Sequence, residues 1–172
     1  MTPRPKVTAT EIVHKNPWYQ IRHDLLEYPD KRTGQYFVAE TPKTALVIAR
    51  RGEQVLMVEQ YRHTMGKDSL EFPSGTCKGK ESLEDASKRE LKEETGFETS
   101  AFTFLGSFYS LNGFANNNVH VFYTTALESE GATALDQEEQ GLQARWIEIA
   151  SLPSLMKDGS IQDGESIAAW ML

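Results

Sequence analysis

Apolar residues gather in short dense runs through the middle of the chain. KTALVIAR (43–50) and EQVLMVEQY (53–61) are too short for buried helices and rich in β-branched residues, and Arg51-Gly52 stands between them. That pattern predicts a β-hairpin. Upstream, PWYQIRHDLLEY (17–28) and GQYFVAE (34–40) read as strands flanking the turn PDKRTG, and AFTFLGSFYSL (101–111), NVHVFYTTAL (118–127) and ARWIEI (144–149) read as further strands downstream. Helical signals are scarcer. Ser82 is a natural N-cap, Glu84 and Asp85 suit a first turn, and Gly96 suits the position just past the end of a helix over 83–95. A weaker helix is expected after Ser151 and a third near Ser166. Strands around a few helices imply α+β or layered α/β architecture.

Projection of the central helix separates its charges. At about 100° per residue, Glu93 falls about 60° to one side of Glu90 and Glu94 about 40° to the other, so three carboxylates share a face. Leu83 and Ala86 lie on that face, while Glu84, Asp85, Lys88, Lys92 and Thr95 point largely the other way as a solvated surface. A face that begins apolar and becomes triply acidic is expected to turn from core into cleft, where unpaired carboxylates are costly and something positive should sit; an ordinary solvated acidic surface is the competing reading.

Overall charge sharpens the problem. The 172 residues carry 25 acidic against 18 basic side chains, a net charge of −7, with no Lys/Arg-rich run. This opposes recognition of nucleic acid or an anionic membrane through a basic surface. Three carboxylates without a neighbouring Cys or His pair favour Mg²⁺, or Mn²⁺, over structural zinc, and Mg²⁺ shares its shell with substrate phosphates. An acidic pocket can thus bind an anion through bridging metal. The length fits one domain, 1–172, with 1–40 as N-terminal strands. No signal-peptide pattern or membrane-length apolar run occurs, and the one cysteine, Cys77, precludes an internal disulfide and reads as a loop residue rather than a nucleophile; a cytoplasmic location is expected.

The acidic helix belongs to a longer pattern. From Gly75 to Phe97 the chain reads Gly, five residues, Glu81, seven residues, Arg89-Glu90-Leu91, one residue, Glu93-Glu94, one residue, Gly96-Phe97. This resembles the Nudix box at every fixed position. The resemblance implies an α/β/α sandwich around a mixed β-sheet, with the box as loop, helix and loop, and hydrolysis of a nucleoside diphosphate linked to another group with a divalent metal. It implies Glu90, Glu93 and Glu94 as metal ligands with the Ser74 carbonyl beside them, and Glu81 and Arg89 as the supporting acid and base, Arg89 orienting its neighbours.

Outside the box, VEQYR (58–62) and EFPSG (71–75) resemble ADP-ribose and nucleotide-sugar pyrophosphatases of the family. Arg62 then becomes a phosphate contact, for which a planar guanidinium fork is suited, and Glu71 joins it as a substrate-binding candidate. In related proteins the N-terminal strands form a homodimer whose partner completes the nucleotide pocket, so Trp18 or Tyr19 could stack on a base; ordinary strand packing is the competing reading. Relatives carry acids where this chain has SLNGFANNN (110–118), so water activation is sought in LDQEEQG (135–141), at Glu139 or Glu138, or failing those at Glu93. His120 reads as a packed or edge residue. The expected substrate is ADP-ribose or a related sugar nucleotide such as GDP-mannose. A triphosphate pyrophosphohydrolase and a non-catalytic nucleotide-sugar sensor are the alternatives.

Overall fold

A computed structural model describes residues 4–135 and 141–172. The chain divides into two compact units, Met1–Pro42 with Tyr109–Asn118, and Lys43–Phe108 with Val119–Leu172.

The first unit is built on a three-stranded antiparallel sheet of β1 (Lys6–Lys15), β2 (Gln20–Glu27) and β3 (Thr33–Glu40), in that order. The first strand lies upstream of those the apolar pattern marks. All ten of its residues are exposed, and two register irregularities break its alternation, so no clean period-two pattern survives. The expected strand from Pro17 begins instead at Gln20. Asn16 accepts hydrogen bonds through Oδ1 from the N–H groups of Trp18 (2.9 Å) and Tyr19 (2.8 Å), which closes a turn there. Asp24 is buried at the sheet centre, where its carboxylate accepts from Thr10 Oγ1 (2.7 Å) and Arg22 Nε (3.0 and 3.1 Å). Arg22 also pairs with Glu40.

The second unit is a layered α/β sandwich. β4 (Thr44–Arg51) and β5 (Gln54–Arg62) form the expected hairpin, turning at Gly52 with φ 59°. Around them the sheet runs β12 (Gln143–Glu148), β5, β4, β10 (Asn118–Thr124), β9 (Thr103–Tyr109). Two short strands outside the expected set complete it: β6 (Lys67–Glu71) pairs with β5, and β7 (Ser74–Thr76) with β4. β10 runs parallel to β4 while β5, β7 and β12 pair antiparallel, so the sheet is mixed. A separate two-stranded sheet joins β8 (Phe97–Thr99) to β11 (Leu127–Glu130).

Strand β4 is apolar on both faces because both are covered. Leu46 and Ile48 pack with Met57, Phe72 and Val121 under α2 (Leu152–Asp158) and α3 (Gly164–Trp170), which contribute Leu152 and Ala169. Val47 and Ala49 pack with Leu56 and with Leu91 of α1 (Leu83–Thr95). Helix α1 has the expected cap; α2 follows Ser151 without a side-chain cap bond, and α3, expected near Ser166, begins at Gly164 because Asp163 caps it. Ser82 accepts from the Asp85 N–H at 3.1 Å, and Gly96 closes α1 at φ 76°, where an added Cβ would also lie 2.3 Å from the Gly131 carbonyl oxygen. One assignment needs correction. Thr95, expected on the solvated face, is buried, because its hydroxyl folds back onto the helix to donate to the Leu91 carbonyl and accept from the Phe97 N–H at 3.2 Å. Among the described residues, no helix is long and apolar enough to cross a membrane.

Candidate active site

In the first turn of α1 Glu84 and Asp85 face solvent while Ala86 is buried, and lower down the helix the buried face carries Glu90 and Glu94, which are 5% and 2% exposed. Their burial decides that these are not surface acids. Glu93 lies between them and is more open. The Arg89 guanidinium binds this group together: Nη1 donates to Glu90 Oε1 (2.7 Å) and Glu93 Oε2 (2.9 Å), Nε and Nη2 donate to the two oxygens of Glu81 (2.9 and 3.0 Å), and Nη2 also donates to the Thr76 carbonyl (3.0 Å). Bidentate pairing with Glu81 holds Arg89 firmly protonated and Glu81 below the usual carboxylate range. Burial pushes the Glu90 carboxyl up against the pull of Arg89. Glu81, Glu90 and Glu93 thus share one guanidinium, with Lys78 Nζ 3.9 Å from Glu93.

The box loop is shaped for close approach. A Cβ on Gly75 would lie 1.9 Å from Glu90 Oε1, so glycine lets the backbone pass beside that carboxylate where it stands, and any larger residue requires Glu90 to move. Its neighbour Ser74 donates its N–H to Glu94 Oε2 at 3.1 Å, which orients the third glutamate and leaves the Ser74 carbonyl as a further oxygen donor on the same short strand. Because Arg89 stands between Glu90 and Glu93, the glutamates do not close around one point, and among the described residues no three acidic, histidine or cysteine side chains form a ready ion cage. The donor set nonetheless fits a hard divalent cation: oxygen ligands only, an excess of buried negative charge, and a glycine cradle that a side chain would fill.

Arg62, at the end of β5, holds Glu71 through Nε (2.9 Å) and Nη2. Glu71 is 4% exposed, whereas the Arg62 side chain is 41% exposed, so the guanidinium keeps an open side. The hydrogen bonds that it donates to Glu71 are the largest cause of its firm protonation, and the carboxylates of Asp163 and Glu94 lie near enough to add to it. Arg62 and the box therefore belong to one electrostatic neighbourhood. Asp163, the N-cap of α3, was not among the sequence candidates; its signal was DGES (163–166) ahead of the apolar IAAW, which reads as a cap and nothing more.

The family model for the NUDIX domain matches residues 40–170. The chain belongs to the Nudix family. This Nudix hydrolase is 32% identical over 136 residues to the methanol dehydrogenase activator of Bacillus methanolicus, covering 78% of this chain and 74% of that one. It is 29% identical over 136 residues to the ADP-ribose pyrophosphatase of Bacillus subtilis, again 78% and 74% of the two chains. A crystal structure of an ADP compounds hydrolase superposes with a TM-score of 0.85 over 98% of this chain and 91% of that one, at 19% identity, and so shares the fold. Nudix hydrolases generally use divalent metal ions, in keeping with the donors at Glu90, Glu93, Glu94 and Ser74.

The other candidates fall as follows. Trp18 and Tyr19 lie in the turn between β1 and β2, 62% and 42% exposed, and the Tyr19 ring rests against His14 of β1, centroids 5.6 Å apart. His120 is half-buried in β10, an interior strand of the sheet, 6.1 Å ring to ring from Phe104. In the asparagine segment, Asn116 Oδ1 accepts from the Thr41 N–H (3.0 Å) and Asn117 Nδ2 donates to Ser110 Oγ (3.0 Å), so these side chains fasten a loop. Burial raises the Cys77 thiol above its ordinary value, which opposes a nucleophilic role. Glu138 and Glu139 lie outside the described residues.

Proposed function

We propose that this Nudix hydrolase cleaves the diphosphate of a nucleoside diphosphate sugar, ADP-ribose or a close relative such as GDP-mannose, to a nucleoside monophosphate and a sugar phosphate. The observation that best supports the reading is the partly exposed guanidinium of Arg62 in the electrostatic neighbourhood of Glu94, where a fork suited to phosphate would stand beside the box carboxylates. The name of the Bacillus subtilis relative supports the choice of substrate class.

Glu90, Glu93, Glu94 and the Ser74 carbonyl would hold Mg²⁺, with Mn²⁺ as a substitute. When bound, the ion neutralises phosphate charge and makes water more acidic. Arg89 holds Glu90 and Glu93 in place through one nitrogen. The free edge of Arg62 takes phosphate oxygens and stabilises the charge that develops on them. Water attacks one phosphorus, its oxygen forms the new P–O bond, the bridging P–O bond breaks, and the electron pair leaves with the departing phosphate. Glu139, or its neighbour Glu138, accepts the proton of water; Glu93 is the next choice. The protein acts as a cytoplasmic homodimer in which a partner's N-terminal strands complete the nucleotide pocket and Trp18 or Tyr19 stacks on the base. Exposure of both rings supports this role.

A panel of ADP-ribose, GDP-mannose, UDP-glucose, diadenosine polyphosphates and dNTPs, assayed with Mg²⁺ and Mn²⁺, tests the reading. Fastest turnover of a sugar nucleotide is expected. Preference for dNTPs would replace the proposal with the triphosphate reading, and no hydrolysis by well-folded protein would replace it with a sensor.

A further inference from the structure

The break between β6 and β7 lies at Phe72-Pro73, between Glu71 and Ser74. Pro73 has no N–H, and its carbonyl accepts from the Val47 N–H at 2.8 Å. The Phe72 N–H is left outside the ladder in a place with almost no solvent, since Phe72 is 1% exposed. Its partner comes from 94 residues away: Ser166 Oγ on α3 accepts it at 2.8 Å. Ser166 is 0% exposed, and its own N–H donates to the N-cap carboxylate of Asp163 at 2.7 Å. The ring of Phe72 stacks on Trp170 of the same helix, centroids 6.2 Å apart. Helix α3 thus grips one residue twice, by its backbone and by its ring.

What flanks that residue gives the grip its meaning. One position before it, Glu71 receives the fork of Arg62; two positions after it, the Ser74 N–H orients Glu94, and Gly75 passes beside Glu90. Ser166 lies in the first turn of α3, and its buried hydroxyl is aimed across to the break and away from the cap of its own helix.

We propose that Ser166 is a positioning residue for the active site: by satisfying the Phe72 N–H it sets the β6–β7 break so that Glu71 meets Arg62 and Ser74 orients Glu94. The catalytic part of this rests on the hydrolase reading above. Without the acceptor, a buried N–H would be left unpaired, and the break would shift to reach another partner. The support of metal-site ligands by their outer partners is commonly worth 10–100-fold in affinity or activity, and Ser166 acts on that scale through one intervening residue.

The test compares Ser166→Ala with Ser166→Thr, which keeps the acceptor. Mn²⁺ affinity is titrated by EPR on the full chain, with kcat and KM on the best substrate of the panel and amide hydrogen exchange at Phe72. Ser166→Ala is expected to weaken Mn²⁺ binding about tenfold, lower kcat about tenfold and lose protection at Phe72. Ser166→Thr should stay within about threefold of wild type. A folded Ser166→Ala with wild-type Mn²⁺ affinity and turnover overturns the proposal, even if its Tm falls, since a merely structural serine would do just that. So does a Ser166→Thr that retains Phe72 protection yet fails as Ala does. Should Ser166→Ala not fold, Ser166→Cys replaces it with intermediate values expected, and wild-type values there overturn the proposal too. If the wild type hydrolyses nothing in the panel, the substrate reading falls, while Mn²⁺ titration and exchange still decide the role of Ser166.

Discussion

Helix α1 and strand β1 break the usual rule of burial in opposite directions. The helix hides charge: Glu90 and Glu94 are buried while Lys92 is exposed. The strand shows apolar surface: Val7, Ile12 and Val13 are each about half exposed, and Leu25 and Phe37 on its sheet are open as well. Each inversion costs free energy in the isolated chain. A buried carboxylate group is unfavourable by several kcal/mol per uncompensated charge, and covering one aliphatic side chain would recover about 1.5–3 kcal/mol. Such costs persist when something outside the chain offsets them. For the helix the chemistry asks for a cation; for the strand it asks for apolar surface, and a second copy of the chain is our proposal. The helix requirement is met by a small ion at one point. The strand requirement is spread over a surface, and several side chains must be covered before they outweigh the roughly 4–15 kcal/mol cost of association.

Breaking the helix side should have the largest effect. Glu94→Gln is expected to lower kcat by at least about 10², the scale of removing a major electrostatic stabiliser; near-normal turnover at saturating Mg²⁺ would end the metal assignment. Next comes Gly75→Ala, which forces a methyl group into the space of the Glu90 carboxylate. Calorimetric Mn²⁺ titration should show affinity falling about 10–100-fold with the fold intact by circular dichroism. A wild-type isotherm would mean that Glu90 swings away at no cost and is not held against the loop.

Arg62→Ala separates anion from cation on the same site. KM should rise about tenfold or more while Mn²⁺ affinity stays near wild type; equal loss of both would show that Arg62 supports the box and does not contact phosphate. Glu71 is buried against Arg62, so Arg62→Lys serves as the control that keeps its charge partner.

On the strand side, Val7→Asp combined with Ile12→Asp should convert a dimer into monomer by analytical ultracentrifugation while Mn²⁺ affinity is retained. A dimer that persists would move the interface elsewhere. The smallest effect concerns Asp24, whose carboxyl is held below its ordinary value first by the Thr10 hydroxyl and then by Arg22. A group depressed in the folded state stabilises above its unfolded pKa, about 3.9, and loses that contribution as pH falls through the folded value. Wild-type Tm should therefore decline more steeply below about pH 4 than that of Asp24→Asn, and parallel curves would show that the pair carries no linkage.

Much of this is legible in the sequence. Local codes carry their own physics: Ser82 and Gly96 bound α1 because a cap and a left-handed residue act within one turn, and β4 and β5 declare themselves by continuous apolar runs. Spacing within the box placed Glu90, Glu93 and Glu94 on one face because helix geometry is a fixed rotation per residue. Tertiary structure decided what depends on distant partners. β6 and β7 are short strands whose pairing to β5 and β4 supplies what their sequence does not, and β1 pairs although none of its residues is buried. Thr95 is turned inward by bonds to Leu91 and Phe97 that its position on a helical wheel does not reveal. The joining of Arg62 to Glu71, of Ser74 to Glu94 and of Phe72 to Ser166 spans 9, 20 and 94 residues of chain. Hydrogen bonds and ion pairs act over a few ångströms of space, and a sequence orders residues along the chain alone; only the folded sheet, bringing β5, β6, β7, α1 and α3 together, makes those residues neighbours.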